Sequence, residues 1–127
     1  MTSDQYAALV VETIHGARQA LTLTAHEDDV PLVYAFEDLA KLATHRVLGI
    51  GRHQYEIRPD EQRFESDSVQ QMLSEARDEV VDIPCYATQI AWRLGAPEDV
   101  DVRRVIAMCA ELLVTLNRIE ARAADCG

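Results

Sequence analysis

A chain of 127 residues, 48% of them apolar, can close one ordinary core but is too short for two comfortable domains; a single helical domain over residues 1–127 is expected. That apolar content excludes a wholly disordered chain, and apolar runs of only a few residues exclude a membrane span. A formal charge of −10 excludes broad nucleic-acid binding, which depends on Lys and Arg neutralising phosphates.

Residues 1–24 lack the basic start, apolar middle and small-residue cleavage site of a secretory signal, so cytoplasmic residence is expected. Three cysteines, Cys85, Cys109 and Cys126, form no CxxC pair and point to neither a disulfide framework nor a zinc knuckle. Cys85 and Cys109 fall in apolar surroundings and read as packing residues. Cys126 belongs to a frayed tail.

The first predicted helix runs from Ser3, its N-cap, to about Thr24. Tyr6, Leu9, Val10, Thr13, Ile14, Ala17 and Leu21 recur along it at helical spacing. The cluster His26-Glu27-Asp28-Asp29 breaks the pattern and leads to Pro31, which suits a first helical turn. A second helix covers Pro31 to about Leu48, with Leu32, Phe36, Leu39, Ala43 and Val47 as its stripe and Leu42 on the flank. Gly49 and Gly51 end it. Residues 50–65 read as an exposed, charged, non-helical connection, long enough to be functional.

The third helix carries the clearest pattern. Ser66 or Ser68 caps it, and Val69, Leu73, Ala76, Val80, Ile83, Ala87, Ile90 and Leu94 follow at alternating steps of four and three. Pro84 removes one backbone donor and should kink it; Gly95 and Pro97 end it. The fourth helix begins near Asp99 or Asp101 and reaches about Ala123. Val102, Val105, Ile106, Cys109, Leu112, Leu113, Leu116 and Ile119 give it a broad apolar face. No run alternates with period two, so strands are not needed. An all-α bundle of about four main helices buries such stripes.

One feature carries chemistry. On the third helix Glu75, Glu79 and Asp82 stand at i, i+4 and i+7, on one side and next to the core stripe, with Tyr86 a turn further and Asp78 turned toward solvent. Carboxylates at the edge of a groove suit a hard cation such as Mg²⁺, which takes oxygen ligands and commonly one or two carboxylates plus substrate phosphates. The same acids also suit the helix dipole and water, with no ligand at all. His45, Arg46, Arg52 and His53 form a stretch with no acid between them, followed by Arg58 and Arg63. Such a mildly basic loop fits either an anionic ligand or plain solvation.

The segment Glu75-Ala-Arg-Asp-Glu79-Val-Val-Asp82-Ile, followed by Tyr86, resembles the second metal-binding helix of the all-α nucleoside triphosphate pyrophosphatases, the MazG-like group. Glu79 and Asp82 match its Glu-x-x-Asp pair. Phage-encoded relatives also place a Gly, an aromatic residue and a loop before that helix, as Gly49 to Phe64 do here. The similarity covers roughly residues 32–94. It implies a helical bundle, a homo-oligomer, and Mg²⁺-dependent hydrolysis of a nucleoside triphosphate to monophosphate and pyrophosphate. Glu79 and Asp82 would hold the metal, with Glu75 in support.

The first family motif, Glu-x-x-Glu, has its nearest match in Glu37-Asp38-Leu39-Ala40-Lys41-Leu42. Asp38 stands for the first metal ligand, and Lys41 stands where the second Glu belongs. The 40 residues between Asp38 and Glu79 also exceed the family's usual separation. Another acid, Glu65 or Glu111, would have to complete the site, or catalysis is lost; Glu111 faces away from its helix's stripe. Arg46, Arg52 and Arg58 are the candidates for phosphate contacts.

Other groups are weaker leads. Asp38 and His45 share a flank of the second helix, His15 reads as a surface or interface histidine, and Trp92 as a packing anchor. No Ser-His-Asp or Cys-His signature, P-loop or dinucleotide glycine pattern is present. The rival to the enzyme is a non-catalytic acidic helical protein that binds a protein partner. Lys41 and the irregular spacing favour it.

Overall fold

A computed structural model describes residues 1–22 and 30–126. Among the described residues the fold is all-α: four long helices dominate, accompanied by one short helix, a 3₁₀ turn and two very short strands. The chain divides into two compact units, Met1–Ser66 and Asp67–Gly127, each built on one pair of packed helices.

In the first unit α1 (Ser3–Thr22) packs on α2 (Val30–Leu48), and Arg18 meets Glu37 at 4.0 Å. The expected end of α1 at Thr24, and the His26–Asp29 cluster, lie outside the described residues. Thr2, not Ser3, caps α1. Its hydroxyl accepts from the Gln5 amide at 3.1 Å, while Gln5 Oε1 accepts from the Thr2 amide at 2.8 Å. Ser3 is one residue further in, buried, and its hydroxyl donates to Glu56.

The seam between these helices is narrower than the apolar stripes suggest. Ala7, Ala40 and Val47 are buried, flanked by half-buried Tyr6, Val10, Ile14, Val33 and Phe36. Leu9, Leu39 and Leu42, read as core or flank, are 41%, 51% and 67% exposed. Small residues at the contact let two backbones approach closely, and the longer leucines fall to the side.

The connection after α2 is structured, which corrects the expectation of an irregular loop. Gly49 and Gly51 end α2, their amides donating to the His45 and Arg46 carbonyls at 2.9 and 2.8 Å. A Cβ on Gly51 would lie 2.6 Å from the Arg46 carbonyl oxygen, so this corner admits only glycine without displacement. There follow α3 (Arg52–Tyr55), β1 (Glu56–Arg58), β2 (Glu61–Gln62) and a 3₁₀ turn (Arg63–Glu65). The strands pair antiparallel, Glu56 opposite Gln62 and Arg58 opposite Glu61.

Gln62 is fully buried, and its amide nitrogen donates to the Met1 carbonyl at 3.2 Å. Beside it the Tyr6 ring packs against Tyr55 and Phe64, with centroids 5.6 and 5.2 Å apart. These groups tie the connection back onto the start of α1.

In the second unit α4 (Val69–Leu94) and α5 (Val100–Cys126) form an antiparallel hairpin, registered by Arg77, whose guanidinium meets Glu120 at 2.6 Å and Asn117 at 2.9 Å. Ser68 is the cap of α4, accepting from the Gln71 amide at 3.1 Å. Gly95 ends the helix in the left-handed conformation at φ 63°. There the Ala96 amide reaches back to the Ala91 carbonyl at 3.0 Å. Asp99 caps α5 by accepting from the Val102 amide at 3.0 Å.

Helix α4 is continuous across Pro84. The seam of this hairpin consists of Leu73, Val80, Ala87 and Ala91 against Cys109. Ile83, Ile90, Leu94, Val105 and Leu112, all read as core, are 40–66% exposed. Cys85 and Trp92 correct the reading in the same way: Cys85 is exposed, and Trp92 is 78% exposed rather than an anchor. Cys109 is buried as expected.

Candidate functional site

The carboxylate row is set by the α4 backbone. Steps of four and three residues along a helix return to the same side, and Glu75, Glu79 and Asp82 all lie exposed there. None of the three has an ion-pair or hydrogen-bond partner among the described residues. Arg77, the nearest cation on the same helix, is turned to the α5 side and engaged by Glu120. Tyr86 extends the row and is 64% exposed. The row is therefore a strip of uncompensated negative charge along the edge of the hairpin.

Apart from Glu111, the remaining predicted site residues belong to the first unit. Asp38 and Lys41 are exposed on α2. Arg46 donates to Gln54 Oε1 at 3.2 Å, Arg52 donates to Glu56 Oε2 at 2.7 Å, and Arg58 lies 3.8 Å from Glu61. Each of these arginines thus has a local partner, and Arg52 is the most firmly held. The Glu56 hydrogen bond and charge raise the Arg52 pKa above its ordinary value.

Glu56 sits at the centre of that arrangement, taking the Ser3 hydroxyl and the Arg52 guanidinium. The Ser3 hydrogen bond first, and then that of Arg52, hold its carboxyl below the usual range. Glu65 is likewise lowered, chiefly by the Gln62 amide, which it accepts at 2.8 Å. Glu65 is thus engaged in capping the 3₁₀ turn. Glu111 is exposed on α5 and borders an apolar groove.

For Mg²⁺ the chemistry of the row is suitable: only oxygen donors, from carboxylates with nothing else to hold. Among the described residues, no group of three or more His, Cys, Asp or Glu side chains is gathered as a metal cage. Two carboxylates and a substrate's phosphates would have to complete the coordination between them, as Mg²⁺ commonly allows.

Two features escaped the sequence reading. The polar tie of Ser3, Arg52, Glu56 and Gln62 joins residues more than fifty positions apart, and no local pattern marks it. The exposed apolar side chains of α4 and α5 were visible as residues, but a stripe does not say which of its members a single neighbour can cover.

No protein-family model, curated protein or solved structure matches this chain. Among the described residues no helix is long and apolar enough to cross a membrane.

Proposed function

We propose that this chain is a Mg²⁺-dependent nucleoside triphosphate pyrophosphohydrolase of the MazG-like kind, releasing a monophosphate and pyrophosphate. The observation that carries the reading is the unpaired carboxylate row on α4. Glu79 and Asp82 are assigned as metal ligands and Glu75 as their support. Mg²⁺, when bound, would polarise a phosphoryl oxygen and lower the pKa of a coordinated water. The part of this chain is to hold negative oxygens uncompensated by internal cations, so that a divalent ion gains more there than at a neutralised surface.

A second reading has its own support. Lys41 stands at the second acid of the first motif, and both helix pairs leave large apolar side chains open. These favour a non-catalytic acidic protein that binds a protein partner.

The two readings separate in one experiment: pyrophosphate release from a panel of nucleoside triphosphates with Mg²⁺ or Mn²⁺, alongside thermal melting. The enzyme reading expects turnover and a metal-dependent rise in melting temperature, since a ligand of the native state stabilises it by mass action. Glu79→Gln should remove both, lowering turnover by at least the ~10–100-fold typical of a disturbed metal site. Full hydrolysis by Glu79→Gln would sink the assignment. No release and no shift with any nucleotide would favour the second reading.

A further inference from the structure

Beyond the acid row, the α4–α5 hairpin encloses a hollow of about 230 Å³. Its floor is apolar, Ile83 and Ile90 from α4 with Val102 and Val105 from α5. Tyr86 and Asp101 complete the lining, and Asp101 is its one charged residue. Tyr86 is 64% exposed, and its ring and hydroxyl have no partner among the described residues. The exposed Asp101 carboxylate has none either. Its place in the first turn of α5 suits the helix dipole, but the dipole does not require an acid on the wall of an apolar hollow.

The order of these groups along the hairpin matters. Tyr86 follows Asp82 by one helical turn, about 6 Å, and Ile90 by two, about 12 Å. The helices run antiparallel, with Arg77 held by Asn117 and Glu120 at the far end. Asp101 therefore lies toward the Gly95 turn, on the side of the hollow away from the acid row. Carboxylate row, aromatic ring, apolar floor and lone carboxylate succeed one another in that order.

We infer that this hollow seats a guanine base, belonging to the nucleotide whose phosphates the acid row takes through Mg²⁺; the inference rests on that reading of the row. Tyr86 supplies the face on which the base stacks, and the aliphatic floor covers the ring system. Stacking alone tolerates every base, so Asp101 makes the choice. An ionised carboxylate offers two neighbouring acceptor oxygens and no donor. Guanine presents two adjacent donors to match, N1–H and the 2-amino group, on the edge by which unpaired bases are commonly read. Adenine and cytosine set an amino group beside an unprotonated ring nitrogen, which a carboxylate repels. Uracil and thymine offer one N–H between two carbonyls. Hydrogen bonds to an ionised acceptor are the strong kind, and apolar surroundings strengthen them further.

The test has one arm without metal or phosphate and one with both. In EDTA, guanosine should give saturable NMR shifts at Tyr86, Ile90 and Val105. Inosine, which lacks the 2-amino group, should bind at least about tenfold more weakly. Asp101→Asn, which sets an amide donor against that amino group, should abolish the preference. Tyr86→Ala should weaken guanosine about tenfold, whereas Tyr86→Phe keeps the ring and should bind as the parent does. Both positions are exposed, so helical circular dichroism should stay unchanged in all three variants. Absence of guanosine shifts, or equal binding of guanosine, inosine and adenosine, would overturn the inference whatever the acid row does. With Mg²⁺, guanosine triphosphate should be cleaved in preference to inosine triphosphate by a similar factor. Guanosine binding without turnover would uphold the base seat and remove the enzyme. Turnover indifferent to the base and to Tyr86→Ala would uphold the enzyme and overturn the seat.

Discussion

The two units are held by different means. In the first, the chain from Gly49 to Glu65 is tied to the start of α1 by directed contacts: Ser3 and Arg52 on Glu56, Gln62 on the Met1 carbonyl, and Tyr6 between two aromatic rings. In the second, a single row of side chains, Leu73, Val80, Ala87 and Ala91, lies against α5, with one ion pair fixing the register. The first arrangement is specified by geometry and is self-contained. The second is specified by apolar area, of which it covers only part. A hairpin with surplus apolar surface is built to gain stability by association, whereas a polar tie gains nothing from a partner.

Three substitutions probe this contrast, the largest effect first. Leu73→Ala removes the longest side chain of the narrow seam and should lower the unfolding free energy by about 2–5 kcal/mol in urea titration. If the loss were well under 1 kcal/mol, the seam would not be what holds the hairpin. Gly51→Ala forces a methyl group against the Arg46 carbonyl and should cost about 1–3 kcal/mol, through backbone displacement rather than lost contact. A neutral result would show that the corner yields easily.

The smallest effect concerns pH. The Glu56 carboxyl is lowered in the folded chain, so its contribution is present above the ordinary carboxylate value of 4.5 and is lost as pH falls through its lowered folded value. Glu56→Gln should therefore flatten that acid limb of the stability curve, measured by melting between neutral pH and pH about 3. An unchanged acid limb would mean that other carboxylates, Glu65 among them, set it.

Much of the fold is legible in the sequence because helices announce themselves. The period of the apolar residues, the serine before Val69, the glycine after Leu94 and the aspartate before Val100 place α4 and α5 to within a few residues. The 50–65 connection is harder to read. Elements of two to four residues have no period to detect, and the burial of Gln62 depends on Met1 and Ser3, sixty positions away. The stripes also overstate the core. Sequence shows that Ile83, Ile90 and Leu112 belong to an apolar face, but whether one neighbouring helix can reach all of that face depends on packing distance, which the small residues Ala87 and Ala91 set. The acid row was legible as spacing alone; its lack of internal partners emerged only from where Arg77 points.

Pro84 has a consequence for how α4 opens. It carries no amide proton, so the Val80 carbonyl lacks its within-helix donor and the ladder of hydrogen bonds is interrupted at one rung. Glu75, Glu79 and Asp82 precede that rung; Tyr86, Ile90 and Leu94 follow it. Amide exchange should therefore resolve α4 into two protected blocks of separate opening energy, one bearing the acids and the other bearing the exposed side chains of Tyr86, Ile90 and Leu94. The carboxylate edge then frays and re-forms while the helix beyond Pro84 keeps its shape.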